Sequence, residues 1–144
     1  FQAGLLFEQR DNTDRAINFY RKAIEIDSRN SDAHYQLGFL LYKTKHHVEA
    51  KEELDLAINT REDNYKAYYY LGKLLKESHD YVAALVAFEK AQKDPEFKIK
   101  SLIERGSCYM SLGDLDKAVT ELDRAIRLVK NEFHGECTRR HLYE

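Results

Sequence analysis

A repeat of 34 residues runs through this sequence and leaves few folds open to it. Gly4, Gly38, Gly72 and Gly106, four of the six glycines, stand 34 positions apart. Two alanine columns share the period: Ala16, Ala50, Ala84 and Ala118 form one, and Ala23, Ala57, Ala91 and Ala125 form the other. A fixed period of roughly 20 to 50 residues is typical of chains built from stacked copies of one supersecondary unit. The sequence therefore predicts a repeat protein.

Each copy of the repeat carries two helical patterns. Leu37, Leu40 and Leu41 lie at helical spacing around the glycine of the second copy. After a turn, apolar residues recur at i, i+4, i+7 and i+8, the spacing of an amphipathic helix. The second copy shows this pattern as Ala50, Leu54, Ala57 and Ile58. Each copy is therefore predicted to form a helical hairpin.

The predicted turns carry residues that end and begin helices. Gly113 can adopt the left-handed conformation that ends a helix, and Asp114 can cap the next one. Asp11-Asn12 and His79-Asp80 occupy the equivalent positions in other copies. Glycine and alanine allow two helices to cross closely, while larger apolar residues fill the space on either side. A single hairpin cannot bury both of its faces, so we expect the copies to stack.

These columns resemble the tetratricopeptide repeat. The resemblance rests on Leu37-Gly38 and Leu71-Gly72 in first helices, and on an aromatic residue or leucine between the two alanines. That last position holds Tyr20, Leu54, Phe88 and Leu122. Arg105, before Gly106, departs from the family's pattern. The resemblance implies an all-α fold, a right-handed superhelical solenoid of antiparallel helix pairs.

The period also divides the chain into one continuous repeat domain. Residues 1–30 are assigned to a truncated repeat 1, 31–64 to repeat 2, 65–98 to repeat 3 and 99–132 to repeat 4. Residues 133–144 break the pattern and are predicted to form a polar C-terminal capping helix. Because repeat 1 lacks its first turn, we expect the parent chain to continue upstream.

Resemblance to this family implies that the first helices line a concave groove, which holds a peptide or helix of a partner. The residues expected to line the ligand-binding groove are Tyr35, Phe39, Tyr42, Lys66, Tyr69, Lys73, Lys76, Lys100 and Ile103. They predict an aromatic wall beside a basic one, suited to apolar or aromatic anchors with some acidic character. Packing between neighbouring hairpins is an equally good explanation for the three tyrosines.

One known ligand mode of the family is not expected here. Some members clamp the C-terminal carboxylate of chaperone tails with lysine and asparagine four residues apart in a first helix. This sequence instead has Tyr35 with Phe39, Tyr69 with Lys73, and Ile103 with Ser107 in those columns. The sequence therefore predicts a protein-interaction scaffold that is not such a carboxylate clamp.

Two other classes of binding remain as alternatives. End-to-end self-assembly through uncovered hairpin faces has Leu6, Phe7 and Phe19 as its candidate residues. Binding of RNA is less favoured, since the net charge is -2 and acidic residues interrupt each basic cluster. No membrane insertion is expected, because no apolar run approaches the roughly 18 residues of a span.

No enzyme activity, metal or cofactor is predicted. The segment from His46 to Glu49 resembles the start of an inverted zinc motif, but Ala50 replaces the second helical ligand. Cys108 is expected to be a packing residue rather than a nucleophile. The glycines are spread one per repeat, so no phosphate-binding loop forms. With two cysteines in all, a reducing, cytoplasmic location is the default expectation.

Overall fold

A computed structural model describes the backbone of residues 2–143 and the side chains of residues 12–132. Over this range all regular structure is α-helical. The helices are α1 (Gln2–Ile26), α2 (Ser31–Lys43), α3 (His47–Thr60), α4 (Tyr65–Glu77), α5 (Tyr81–Ala91), α6 (Lys98–Leu112) and α7 (Leu115–Tyr143). Helices α2 and α3, α4 and α5, and α6 and α7 pair as hairpins, and successive hairpins stack. The predicted all-α solenoid of helix pairs is confirmed.

The hairpins close around the small residues of the repeat. A β-carbon on Gly38 would lie 2.8 Å from Cγ of Leu54, and one on Gly106 would lie 2.8 Å from Cγ of Leu122. Ala50 and Ala57 are fully buried on the same side of α3. Two helices cross this closely only when one of them presents no side chain at the contact.

Positive backbone φ angles close the turns of the three complete hairpins. They occur at Lys45 (66°), His79 (64°) and Gly113 (84°), which are again 34 residues apart. Asp80 then accepts a hydrogen bond from the backbone N–H of Ala83 (3.3 Å). Asp114 caps α7 in the same way. The predicted turns at His79-Asp80 and Gly113-Asp114 are therefore confirmed.

The turn predicted at Asp11-Asn12 is wrong, because α1 continues through both residues. Asp11 corresponds to Lys45, His79 and Gly113, so a turn there would require positive φ in a non-glycine residue and would free several backbone N–H and C=O groups. A continuous helix avoids both costs. Gly4, in the same segment, lies outside the residues whose side chains are described.

At the other end, α7 runs unbroken from Leu115 to Tyr143. The backbone of residues 133–143, predicted as a capping helix, is thus helical and continuous with the second helix of repeat 4. The stacking of repeats 3 and 4 includes the atypical Arg105, whose guanidinium donates to the carbonyl of Leu85 on α5 (3.1 Å) and lies 3.6 Å from Glu121 on α7. Arg105 therefore connects three helices where the family has leucine.

Polar contacts also hold the two ends of repeat 2. The side-chain amide of Asn64 donates to the hydroxyl of Ser31 (2.9 Å), which donates to the carbonyl of Ala57 (2.6 Å). His34 is buried, with Nδ1 2.7 Å from Glu53 and Nε2 2.9 Å from the carbonyl of Ser28. These contacts fix the positions of the loops before α2 and α4. The first helices α2, α4 and α6 lie side by side, with α4 in contact with both of the others.

Candidate functional site

The neighbouring first helices carry the residues predicted to line the groove, and their exposure differs. Tyr35 and Tyr69 are buried, whereas Lys100 and Ile103 on α6 are exposed. The half-buried members are Phe39, Tyr42, Lys66, Lys73 and Lys76. Burial of Tyr35 and Tyr69 favours the packing explanation for these two tyrosines, since only about a tenth of each is accessible (9% each). The half-buried residues remain accessible to a partner.

Six aromatic residues from these helices and the loop before α6 form one aromatic cluster. Its members are Tyr35, Phe39, Tyr42, Tyr69, Tyr70 and Phe97. Tyr70 is its centre, with ring centroids 4.8 Å from Phe39, 5.5 Å from Tyr42 and 5.1 Å from Tyr69. Tilted and edge-on contacts at these distances are the favoured geometries of aromatic pairs. The cluster therefore joins α2 to α4 and to the loop before α6.

Tyr70 is absent from the groove residues predicted from the sequence. The available signal was the run Tyr68 to Tyr70, which places aromatic rings on three successive directions around α4. One of these had to face the preceding repeat.

The hydroxyl groups of the cluster stay protonated. Burial raises the pKa of Tyr35, Tyr42, Tyr69 and Tyr70 above the ordinary value of 10.0. Lys73 opposes the rise of the pKa of Tyr42 and Tyr69, since a nearby positive charge favours the phenolate. At neutral pH the cluster therefore presents apolar rings and neutral hydrogen-bonding groups.

The lysines of the predicted basic wall are not a row of free cations. Lys73 Nζ donates to Glu104 Oε1 (3.1 Å) and Lys76 Nζ donates to Glu104 Oε2 (2.8 Å). Burial alone would lower the pKa of Lys73, but the hydrogen bond to Glu104 and its charge raise it on balance. Burial alone would raise the pKa of Glu104, but the hydrogen bonds from both lysines lower it on balance. Glu104 therefore neutralises part of the predicted basic wall.

The remaining predicted groove residues lie nearer the loops or on α6. Lys66 Nζ is 3.5 Å from Glu96, and Lys100 Nζ lies 5.4 Å from the ring centroid of Phe97. Ile103 is 48% exposed. Lys100 therefore lies against the aromatic cluster through Phe97, whereas Lys66 is paired with Glu96, so the structure brings together only part of the predicted set.

His47 and Cys108 have structural surroundings. Within the described residues, no group of three or more His, Cys, Asp and Glu side chains is arranged to hold a metal ion. His47, from the zinc-like segment, lies 3.3 Å from Glu77, and both side chains are about half exposed. Cys108 is fully buried, and burial raises the pKa of its thiol. In residues 2–143, no helix is long and apolar enough to span a bilayer.

Solved structures with this fold include a crystal structure of MamA, with a TM-score of 0.79 and 22% identity, covering 92% of this chain and 78% of that one. The pilF structure from Pseudomonas aeruginosa has a TM-score of 0.75 and 26% identity, covering 90% of this chain and 60% of that one. The likeness to MamA concerns the fold alone.

Curated relatives include the BBSome complex member BBS4 homolog of Drosophila melanogaster, 33% identical over 61% of this chain and 18% of the relative. Anaphase-promoting complex subunit 3 of Schizosaccharomyces pombe is 26% identical over 78% of this chain and 17% of the relative. Type IV pilus assembly protein PilF of Pseudomonas aeruginosa is 27% identical over 91% of this chain and 53% of the relative. The chain thus spans about half or less of each relative's length.

Sequence profiles of the repeat family match at both ends of the chain. A TPR repeat profile covers residues 4–45, and a tetratricopeptide repeat profile covers residues 99–131. The period of 34 residues continues between them through Gly38, Gly72 and Gly106. The hairpin stacking has the geometry that such a period requires. The chain belongs to the tetratricopeptide repeat family, whose arrays are protein-interaction scaffolds.

Proposed function

We propose that this scaffold binds a peptide or helix of a partner protein in the groove lined by α2, α4 and α6. The aromatic cluster carries the proposal, because Phe39, Tyr42 and Tyr70 are only half buried. Packing within one chain normally covers such rings, and a cluster of partly exposed aromatic residues is typical of contact surfaces.

The expected ligand has apolar or aromatic anchors. Aromatic residues give a large contact area for little loss of entropy, and a buried anchor contributes about 2 kcal/mol to binding. An open groove must also order its ligand, so we expect a dissociation constant in the micromolar range, about -8 kcal/mol. Lysines beside the cluster favour an acidic residue near the anchors.

The names of two relatives support a protein as the partner. One is a BBSome complex member and another is a subunit of the anaphase-promoting complex, so those proteins act within multi-protein assemblies. The matched region is less than a fifth of each. Membership of such assemblies supports a protein as the class of partner.

A pull-down read by mass spectrometry tests the groove. Wild type is compared with Phe39→Ala/Lys73→Gln, and with Val82→Ala as the control, because Val82 is 65% exposed on the second helix α5. Glutamine replaces Lys73 because glutamate there would repel Glu104 and disturb the fold. We expect the double variant to lose partners that both other proteins retain, with unchanged helicity. Equal capture by all three proteins would contradict the proposal.

Self-assembly is the second candidate, and one observation favours it. Leu115, Val119, Ile126 and Val129 expose about half or more of their surface along one side of α7. Ile58, two repeats before Ile126, is instead partly buried against the core of repeats 2 and 3. End-to-end stacking of copies would cover the α7 residues. Sedimentation at two concentrations tests this, and a strictly monomeric chain would remove it.

The candidate residues at the other end of the array are only partly described. Phe19 on α1 is 67% exposed. Leu6 and Phe7 lie outside the residues whose side chains are described. RNA binding has weaker support, since Lys90 and Lys93 already lie over the rings of Tyr68 and Tyr65. A salt-titrated assay with single-stranded RNA tests that alternative, because phosphate contacts weaken steeply with salt.

A further inference from the structure

Two lysines in the groove share a single carboxylate. Lys73 and Lys76 on α4 each donate one hydrogen bond to Glu104 on α6, one to each oxygen. An ammonium group has three N–H donors. Among residues 12–132, the other N–H groups of both lysines have no protein acceptor, and the group of three carries a net charge of one positive unit.

This net charge lies in a partly buried place beside the aromatic cluster. The exposed side-chain fractions are 28% for Lys73, 27% for Lys76 and 15% for Glu104. Tyr42 and Tyr69 are close enough to Lys73 to interact with its charge. Charges attract more strongly where water is partly excluded, so an anion arriving here gains more than it would on an open surface.

We propose that Lys73 and Lys76 form a binding site for the carboxylate of an aspartate or glutamate side chain of the groove-bound partner, with Glu104 as an internal competitor for the same lysines. This rests on the proposed function of the groove. A singly charged carboxylate would neutralise the net charge of one unit, whereas a doubly charged phosphate would leave one negative charge uncompensated beside Glu104. The free N–H groups supply the donors that such a carboxylate needs.

The second half of the proposal concerns Glu104. In the absence of a partner, its carboxylate spreads the charge of both lysines and so lowers the gain from a second anion. Glu77 is a second acidic residue near Tyr42, but its carboxylate lies 3.3 Å from His47 rather than on the two lysines. Removing the charge of Glu104 should therefore strengthen binding of an acidic partner, although it removes two contacts between repeats. If the ion pair were purely structural, removing the charge of Glu104 would instead weaken binding of the partner.

An mRNA-display library of random 12-residue peptides provides the probe. Peptides selected on the wild-type chain are remade in matched forms with each Asp or Glu changed to Asn or Gln, and with a free or amidated C-terminus. For one acidic side chain near an aromatic anchor, we expect the change to the amide to raise Kd about fivefold, the size of one partly exposed ion pair. This effect should vanish on Lys73→Gln/Lys76→Gln and persist on Lys117→Gln, the matched control, because Lys117 is an ion-paired lysine on the second helix α7 and is not one of the predicted groove residues.

On Glu104→Gln we expect the acidic peptide to bind several-fold more tightly while its amide form binds unchanged. The proposal is overturned if the acid-to-amide change acts equally on wild type and on Lys73→Gln/Lys76→Gln. It is also overturned if amidation of the C-terminus, rather than the side-chain change, removes binding. Should Glu104→Gln fail to fold, the peptide changes on the wild-type chain still decide.

The failure of this proposal is distinct from the failure of the groove function. Peptides that bind through Phe39 without an acidic residue would preserve the groove function and overturn the carboxylate site. A selection that yields no peptide dependent on Phe39 would remove both.

Discussion

Gly72 faces the ring of Phe88 so closely that a β-carbon on the glycine would lie 2.8 Å from Cε1 of that ring. Phe88 is fully buried at the crossing of α4 and α5. Equivalent contacts join Gly38 to Leu54 and Gly106 to Leu122. The repeated glycine is therefore a packing requirement at each hairpin.

Gly72→Ala is expected to lower the free energy of unfolding by about 1 to 2 kcal/mol, because overpacking against a buried ring outweighs the better helix propensity of alanine. Gly72→Leu should disrupt the hairpin. Urea unfolding followed by circular dichroism measures both effects. In a Phe88→Ala background, the cost of Gly72→Ala should disappear, since the ring that opposes the methyl group is gone. A cost that persists there would place the strain elsewhere.

Tyr70→Ala should destabilise the chain by about 2 kcal/mol, because it removes the central ring of the aromatic cluster. Tyr70→Phe, which keeps the ring, is the control and should be close to neutral. A double-mutant cycle with Phe39→Ala should give a coupling of about 1 kcal/mol, since the two rings are in contact. Additive effects would indicate that the two rings contribute independently.

Glu104 gives a pH-dependent contribution to stability. Its pKa is lowered from the ordinary value of 4.5, so the contribution is fully present above pH 4.5 and is lost as the pH falls through the lowered pKa. Glu104→Gln should therefore be less stable than wild type by about 1.5 kcal/mol at pH 7. Urea unfolding at several pH values should show this difference shrinking below pH 4.5. A difference independent of pH would contradict the ion-pair contribution.

Cys108 should react slowly with thiol reagents in the folded chain. Its side chain is fully buried, and burial raises the pKa of the thiol, so both access and the thiolate fraction are small. The second cysteine of the sequence, Cys137, is changed to serine so that Cys108 is the only thiol. In this Cys137→Ser background, we expect labelling of the folded chain about a hundredfold slower than in guanidinium chloride, limited by local opening. Labelling at the same rate in both conditions would mean that the thiol is accessible.

The sequence predicts the hairpin fold well because its signals are local. Helical spacing around Leu37 and the Gly113-Asp114 turn are each contained within one repeat. The Asp11-Asn12 turn was predicted from the same column, but α1 is continuous there. Whether a turn forms depends on the residues at the turn and also on the cost of leaving backbone groups unpaired at two new helix ends. The residues in the column were therefore not enough to predict this turn.

By itself the sequence determined the period, the hairpins and the small residues at their crossings, because each follows from spacings that repeat every 34 positions. Only the tertiary structure decided that Tyr70 centres the aromatic cluster and that Glu104 pairs with Lys73 and Lys76, 31 and 28 positions away. Contacts between repeats depend on how far each hairpin rotates against the next. That rotation is set by all the packed side chains together, and no pattern within a single repeat encodes it.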